Sequence, residues 1–414
     1  MKLKKILILF FILQIIFSFV MKYLFYIGDD STELHARILQ YFTQEDINTG
    51  VEYARRGLGA RIASTIMDFV ILGLFVFTPL AIRIESYLAA KTNQRYYLMI
   101  TLFVLVFSLI EFIISFPLDY YFGFYLEHQF GFSKMSLGEW IWFTIKSALV
   151  GIGFGIPIAL GAAYILKTFQ NTWKYLIPIG SLLLGLVFSI IYPIVITPIF
   201  YDYKPIEEGS LKTKIIYLCN HAKIQVENVY VINESQYSGH TNAYFTGWGQ
   251  NRKIFLYDTL INNHTEEEVI SVLGHEIGHW THNHELTFTV GSTIEMFLLC
   301  LLIGYIFRLA KKQNEFTLNE LYSPSSWPLL YLVVSISSSF TEPIWNTFSR
   351  YQEKQADLEA LVLTNDKKSF IDTEIKMAKD NKSRLNSHPW IVGYYHSHPT
   401  TISRIQMAEK YQAK

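Results

Sequence analysis

The sequence predicts a mainly α-helical integral membrane protein with seven transmembrane helices and a smaller polar part containing a short β-hairpin or sheet. The first observation is composition: of 414 residues, 51% are hydrophobic and only 17% are charged. Soluble chains carry about 25% charged residues, so this chain has too few to cover its surface with water-facing groups. The second observation is a series of long apolar runs, and the third is a pair of polar segments between and after them.

Seven apolar runs reach the length of about 20 residues that a helix needs to cross the hydrocarbon core of a bilayer. They lie at residues 5–27, 62–84, 97–118, 142–166, 173–200, 286–310 and 327–348. The first run follows Lys2, Lys4 and Lys5, as in a signal peptide, but it continues to Ile27 and no small-residue cleavage site follows it. We therefore predict an uncleaved first span.

The two polar segments define the predicted organisation of the chain. We predict five transmembrane helices with their loops in residues 1–200, a polar segment with a strand pair in 201–285, two more transmembrane helices in 286–348 and a second polar segment in 349–414. Seven crossings put both polar segments on the same side of the membrane, whichever way the chain inserts. Side chains from the two segments can therefore build one site.

The charge balance and the cysteines exclude several classes of partner and site. Lys plus Arg and Asp plus Glu number 35 each, so no global field recruits nucleic acid, and we predict none as a partner. Two cysteines exclude a disulfide framework and a zinc site built on several thiolates. The lipid membrane is a predicted partner, and no obligatory protein partner is evident.

Charged residues inside the predicted spans have two interpretations, because charges at bilayer depth usually face a protein interior or a watery cavity. They are Asp68, Glu111, Lys146, Glu295 and Glu342. Interhelical pairs, or helix ends placed a turn too deep, are one interpretation, and an aqueous chamber between the helices is the other. The nearby glycines Gly151, Gly153 and Gly155 predict close helix packing.

The segment Gly274–Trp280, GHEIGHW, contains an HExxH motif. On a helix His275 and His279 share one face, so both imidazoles can bind one metal ion. Glu276 is rotated by about 100° from His275 and can accept a proton from a metal-bound water. Thr265–Glu268 predicts a capping box at the start of this helix. The alternative is a surface or core histidine pair with no metal.

A second motif follows the seventh span, in the segment Ser349–Asp357, SRYQEKQAD. A catalytic zinc takes three protein ligands and one water, and two His with one Glu is a standard set. Glu353 is the candidate third ligand, from a second helix. Asp357 shares its face and is a candidate acceptor for the free N–H of a ligating histidine. Taken alone, this segment is also consistent with an exposed charged helix.

Together these motifs resemble the integral-membrane zinc metalloproteases of the type I CAAX prenyl protease family. Further similarity covers nearly the whole chain, at 127–133 (EHQFGFS), 197–209, 242–247 (NAYFTG) and 254–260 (IFLYDTL). The resemblance implies a barrel of seven helices around a water-filled chamber, capped by a zinc domain. It also implies a peptide or protein substrate, typically cleaved to release three residues after a prenylated cysteine.

The resemblance assigns one Zn²⁺ per chain to His275, His279 and Glu353, with Glu276 as the catalytic base. It also implies that Asn242 and Ala243 belong to a strand that aligns the substrate, which an edge strand does through backbone hydrogen bonds. An ordinary hairpin strand, with its turn near Gly249–Arg252, is the alternative. Residues 201–285 and 349–414 then form the two halves of the catalytic region.

The family's last motif corresponds to Ser397–Pro399 and Arg404, where the resemblance places His398 and Arg404 beside the zinc as catalytic residues that stabilise the oxyanion. His396 and Tyr395 compete with His398 for this role. The chain departs from the family at Thr400, where a second proline is usual, and at Ser403, where an acidic residue is usual. Neither change removes a reacting group.

Three other functions remain open from the sequence: a general quality-control zinc protease with no prenyl requirement, a transporter or channel with an incidental metal site, and a catalytically dead binding protein. A complete set of ligands, base and supporting carboxylate argues against the last two. The expected location is multi-pass in a bacterial inner membrane or the endoplasmic reticulum, depending on the source cell. Short-loop Lys and Arg residues favour polar segments facing outward, whereas family members in nucleated cells keep the zinc domain in the cytosol.

Overall fold

A computed structural model of the chain describes residues 2–226, 228–246, 253–313, 316 and 318–412. The described part is mostly helical, with one small sheet. The first nine helices are α1 Leu3–Ile27, α2 Thr32–Ile38, α3 Gln44–Phe77, α4 Leu80–Lys91, α5 Tyr96–Asp119, α6 Glu127–Gln129, α7 Leu137–Thr168, α8 Trp173–Ile191 and α9 Thr197–Phe200. The later helices are α10 Ser210–His221, α11 Asp258–Asn263, α12 Glu266–Thr281, α13 His284–Gln313, α14 Trp327–Thr364, α15 Lys367–Asp380, α16 Pro389–Tyr395 and α17 Thr401–Lys410.

Six stretches of the described chain are helical, long and apolar enough to cross a membrane. They are Leu3–Ile27, Gln44–Phe77, Tyr96–Gln129, Leu137–Thr168, Trp173–Phe200 and His284–Gln313. Two of them are continuous because π-helical segments, Tyr120–Leu126 and Tyr192–Ile196, join α5 to α6 and α8 to α9. The chain is therefore an integral, multi-pass membrane protein.

Two predicted spans differ from the helices found. The run at 62–84 is broken, because α3 ends at Phe77, Thr78 is extended and Pro79 follows it. A residue before proline is disfavoured in the α conformation, which explains the break. The seventh run lies in α14, which is not among the six membrane-length apolar helices and which continues past the predicted boundary at 348/349 to Thr364.

The long helices contact one another in a closed ring. The neighbouring pairs are α1–α3, α3–α5, α5–α7, α7–α8, α8–α13, α13–α14 and α14–α1. In the six apolar helices only 11–17% of the residues of the membrane-length stretch are buried. The helices thus touch along narrow seams and leave broad faces open, which is unlike the packed core of a soluble domain.

The glycine face of α7 is not a close packing surface, so that prediction is wrong. A Cβ atom built on Gly151, Gly153 or Gly155 meets nothing within 4 Å. The intramembrane charges divide between the two interpretations. The Trp345 indole donates to Glu295 (2.6 Å), and Lys146 Nζ donates to the carbonyl of Ile199 (3.0 Å). Glu342 instead lines a cavity of about 340 Å³ with four serines among its other walls.

The sheet belongs to the polar part of the chain. Its strands are β1 Tyr203–Pro205, β2 Asn228–Ile232, β3 Ala243–Thr246 and β4 Lys253–Tyr257, in the spatial order β1-β2-β4-β3. The β2–β4 pair is parallel, whereas β1–β2 and β3–β4 are antiparallel. The predicted strand pair is therefore β3–β4, within a larger mixed sheet. The predicted turn near Gly249–Arg252 lies outside the described residues.

Helix α12 joins the sheet to the end of α14. Its apolar face contributes Val269, Leu273 and Ile277, all at most 1% exposed, to a core with β2, β4 and α10. Helix α12 also packs against α14 and α15. This sandwich fixes α12 rigidly, and the site described next lies on it.

Candidate metal centre

The two predicted motifs meet where α12 crosses α14. The capping box is confirmed: Thr265 Oγ1 accepts from the Glu268 amide (3.3 Å), and the Glu268 carboxylate accepts from the Thr265 amide (2.8 Å). Glu268 also accepts from Lys376 Nζ of α15 (2.8 Å). The start of the helix is thus tied both to its own cap and to its neighbour.

Glycines allow α12 and α14 to approach closely. A Cβ on Gly278 would lie 2.6 Å from Cα of Ala356, and one on Gly274 would lie 3.2 Å from Cα of Ala360. These glycines are four residues apart, as are the alanines, so each pair lies on one helix face. Backbone contact of this kind brings Glu353 of α14 against the histidines of α12.

Among the described residues, His275, His279 and Glu353 are a group whose ligand atoms lie close enough together that they could hold a metal ion. Nε2 of His275 lies 3.1 Å from Nε2 of His279 and 3.2 Å from Oε2 of Glu353. Nε2 of His279 lies 3.3 Å from Oε1 of Glu353. A tetrahedral site with bonds of about 2.0–2.1 Å holds neighbouring ligand atoms about 3.3 Å apart, so the spacing fits a zinc ion.

The protonation pattern also fits a cation. The Nδ1–H of His275 donates to Asp357 Oδ1 (2.8 Å), which leaves its Nε2 as a lone pair facing Glu353. Glu353 Oε2 is buried and has no hydrogen-bond partner among the described residues. The two carboxylates therefore favour a positive charge at this point, which a bound metal ion supplies.

A layer of charged groups lies behind His275. Arg404 of α17 donates from Nε to Asp357 Oδ2 (2.9 Å) and also contacts Asp357 Oδ1, while its Nη1 lies 2.8 Å from Glu374 of α15. Burial opposes ionisation of Asp357, but the Arg404 charge and the bonds from Arg404 and His275 hold its pKa below the usual range. Burial raises the pKa of Glu374 above its usual range.

This arrangement gives Arg404 a different position from the one expected beside an oxyanion. The Arg404 side chain is 16% exposed, and its guanidinium contacts Asp357 and Glu374. It therefore holds the carboxylate that orients His275. Glu374 was missed in the sequence because it lies on α15 with no motif around it, and only the tertiary structure brings it to Arg404.

Glu276 lies beside the two histidines, partly exposed, and its side chain makes no hydrogen bond or ion pair with the described residues. Burial raises the pKa of its carboxyl, and the nearby charges of His275 and His279 oppose this shift. A carboxylate that is free of protein partners and has a raised pKa is suited to exchanging a proton with water.

His398 reaches the metal-binding group from the loop between α16 and α17. Its Nε2 lies 3.4 Å from Glu353 Oε1, and its Nδ1 is 2.8 Å from the Ser397 hydroxyl. In the described chain the side chain of His396 makes no hydrogen bond or ion pair with this group. Arg350 fixes the loop, donating to the carbonyls of Val392 (3.1 Å) and His396 (2.6 Å).

Asn242 and Ala243 lie at the start of β3, the edge strand next to α12. The carbonyl of Asn242 accepts from the Tyr257 amide (3.1 Å), so it points towards β4. Because successive residues of a strand alternate, the backbone of Ala243 points to the outer edge, where its N–H bonds Asn242 Oδ1 (2.8 Å). In the described sheet no further strand pairs with β3 on the side away from β4.

Comparisons with known proteins agree with this geometry. Residues 205–412 match Peptidase family M48, and residues 27–202 match the family described as CAAX prenyl protease N-terminal, five membrane helices. CAAX prenyl protease 1 of Saccharomyces cerevisiae is 30% identical over 77% of this chain and 75% of its own length. An uncharacterized metalloprotease of Bacillus subtilis, YhfN, is 28% identical over 83% of this chain and 81% of its own length.

A solved structure has the same fold over nearly the whole chain. It is the crystal structure of Ste24p from S. mikatae, with a TM-score of 0.88 and 26% identity, covering 99% of this chain and 100% of that one. The similarity therefore includes both the membrane helices and the part that carries the metal-binding group.

Proposed function

The chain belongs to Peptidase family M48, and we propose that it is a zinc endopeptidase that removes the C-terminal tripeptide from prenylated CAAX-type proteins. Its membership makes it a membrane metallopeptidase that acts on peptide or protein substrates. The observation that carries the proposal is the convergence of two imidazole nitrogens and one carboxylate at the spacing of zinc ligands. The prenylated substrate is suggested by the names of relatives such as CAAX prenyl protease 1 of yeast.

We assign one Zn²⁺ per chain to His275, His279 and Glu353, with Asp357 orienting His275. The orphaned Glu353 oxygen and the ligand-atom spacing support this set. These residues would hold a zinc ion, which would supply Lewis-acid chemistry by lowering the pKa of a water molecule towards about 7. Arg404 supports the set indirectly, by holding Asp357.

Glu276 is proposed to accept the proton of the attacking water and to deliver it to the leaving amine nitrogen. Its lack of protein partners and its raised pKa support this role. His398 is proposed to donate from Nε2 to the carbonyl oxygen as negative charge develops there. The Ser397 hydroxyl, which faces Nδ1, can hold the proton of the imidazole on Nε2.

The outer edge of β3 is proposed to bind the substrate as an added strand. Backbone bonding of an extended peptide by an edge strand is independent of its side chains, which suits a protease that reads a short terminal sequence. Ala243 presents its backbone at this edge, next to α12. The side-chain oxygen of Asn242 accepts a hydrogen bond from the Ala243 N–H. This bond would have to break when a peptide binds to the Ala243 N–H.

We propose that α14 is a seventh crossing and that the seven long helices enclose a chamber. The closed ring of contacts, the low burial of the helices and the polar cavity around Glu342 support this arrangement. The serines and Glu342 that lower the hydropathy of α14 are then explained by a wet inner face. We retain the four-part division at residues 200, 285 and 348, although α14 runs through its last boundary.

The test uses the detergent-purified full chain, loaded with zinc, and paired CAAX peptides that differ only in a farnesyl group. Mass spectrometry identifies the products, and Glu276→Ala serves as the control for contaminating proteases. Release of the last three residues from the farnesylated peptide alone supports the proposal. Equal cleavage of both peptides indicates a quality-control protease without prenyl preference, and cleavage of neither contradicts the proposed substrate.

A further inference from the structure

We propose that His284 is a positioning residue for the metal site: it accepts the Nδ1 proton of His279 and so orients that ligand by a second, neutral imidazole. The inference rests on the proposed zinc site. His284 is 5% exposed, and its Nδ1 lies 2.9 Å from Nδ1 of His279. The His279 side chain is partly exposed, and two ring nitrogens at this distance share one proton.

The turn between α12 and α13 creates this contact. Asn283 has a φ of 53°, in the left-handed region that asparagine tolerates better than most residues. Its amide donates to the carbonyl of Trp280 (3.0 Å), and α13 begins at the next residue. The chain therefore turns within two residues, and His284 contacts His279 in the last turn of α12.

The third partner decides which ring donates. Nε2 of His284 faces Oε1 of Gln355 at 3.4 Å, and an amide oxygen only accepts hydrogen bonds. The proton of a neutral His284 is therefore on Nε2, and its Nδ1 is a lone pair. It follows that the proton between the two rings belongs to His279 Nδ1, which leaves Nε2 of His279 unprotonated towards Glu353 and His275.

The two histidine ligands thus have unequal support. His275 donates to the carboxylate of Asp357, whereas His279 donates to an uncharged ring. A carboxylate partner makes a ligating imidazole more basic than a neutral partner does. We expect His284 to act chiefly by fixing the tautomer and the ring angle of His279. The atom responsible for this effect is Nδ1 of His284, which accepts the hydrogen bond.

The experiment measures the zinc dissociation constant of the purified full chain by competition with a chromophoric chelator, after stripping and reloading. His284→Leu removes the acceptor, and we expect a 10- to 100-fold weaker affinity, as for other residues that hold metal ligands. His284→Asn places an amide oxygen near the Nδ1 position, and we expect an affinity within about threefold of the native protein.

The matched control is His282→Leu. The His282 ring stacks on His284, with centroids 5.5 Å apart, and it faces Glu359 rather than the metal-binding group. We expect this variant to bind zinc as the native chain does. Unchanged affinity in His284→Leu, or equal weakening in His284→Leu and His284→Asn, would overturn the inference. Failure of the native chain to bind zinc would instead overturn the proposed function.

Discussion

The membrane helices and the metal-bearing region of this protein are built on opposite packing principles. In the membrane part, most residues of each long apolar helix face lipid or an interior space, and the helices touch along narrow seams. Around α12, by contrast, side chains are fully buried and glycines permit backbone contact with α14. The difference suggests that the helices of the membrane part enclose a space, whereas the packed part holds reacting groups in fixed positions.

The largest expected effect is on chemistry in the packed part. Glu276→Ala should lower the turnover number by about 10²- to 10⁴-fold, the usual contribution of a general base, with zinc content unchanged. Peptide cleavage and bound zinc measured on the same preparation test this. Full activity in the variant would show that Glu276 is not the base, and loss of zinc would assign it to the ligand set.

Burial in the packed part also makes stability depend on pH. Glu234 is 6% exposed, and burial raises the pKa of its carboxyl to about 7. Because the folded pKa exceeds the unfolded one, its stabilising contribution is present below about pH 4 and is lost as pH rises through 7. Between pH 5 and pH 8 the native chain should lose about 2–3 kcal/mol relative to Glu234→Gln.

Thermal unfolding of the purified native chain and of Glu234→Gln at pH 5, 6, 7 and 8 measures this difference. We expect the gap in melting temperature to widen in favour of the variant as pH rises. A constant gap over this range would mean that Glu234 titrates normally in the folded protein.

Alanine substitutions of one glycine in α12 and one in α7 test whether the metal-bearing region is packed more tightly than the membrane helices. Gly278→Ala places a Cβ 2.6 Å from Cα of Ala356, so α12 and α14 have to separate, at a cost of about 1–3 kcal/mol. Zinc affinity should fall with it, because the ligands are on both helices. Gly151→Ala, in the open face of α7, is the matched change and should leave melting temperature and zinc affinity nearly unaltered.

These two variants are best compared by thermal unfolding and chelator competition in the same detergent. Equal losses from both would show that the membrane helices are packed as tightly as the metal-bearing region. An unchanged zinc affinity in Gly278→Ala would show that the ligand geometry does not depend on close contact of α12 and α14.

The smallest expected effect is at a polar seam of the membrane part. Gln14 of α1 donates from Nε2 to the hydroxyls of Ser335 (2.8 Å) and Ser339 (2.9 Å) of α14. Interhelical hydrogen bonds in membranes average about 0.6 kcal/mol, so Gln14→Leu should lower the melting temperature only slightly. A loss as large as that of Gly278→Ala would make this seam a principal support of the ring.

Local sequence patterns were sufficient to predict many of the helices and part of the candidate site of this protein. Apolar runs of membrane length located most of the long helices, and the Thr265–Glu268 cap and the spacing of His275 and His279 located the metal helix. Each of these features depends on residues within a few turns of one another. The break after Phe77 was missed, although Pro79 disfavours the helical conformation at Thr78, because other prolines of this chain, such as Pro117 and Pro157, lie inside continuous helices.

Other features had weaker signals or misleading ones. Gly274 and Gly278, with Ala356 and Ala360, are a small-residue pattern that could have indicated the crossing of α12 and α14. The glycines of α7 gave the same kind of pattern without a contact. A stripe of small residues permits close approach of another helix but does not show whether one is present. Sequence alone therefore cannot distinguish the glycines of α12, which contact α14, from those of α7, which contact no helix in the described chain.

The sequence by itself determined the membrane character of the chain, the histidine pair on one helix and the candidate third ligand, because helical periodicity and hydropathy are local properties. Only the tertiary structure decided that Glu353 lies within 3.3 Å of both histidines, that Arg404, itself paired with Glu374, holds Asp357, and that His284 contacts His279. These contacts join separate helices and a turn. Their geometry depends on how the whole region packs, which no short stretch of sequence specifies.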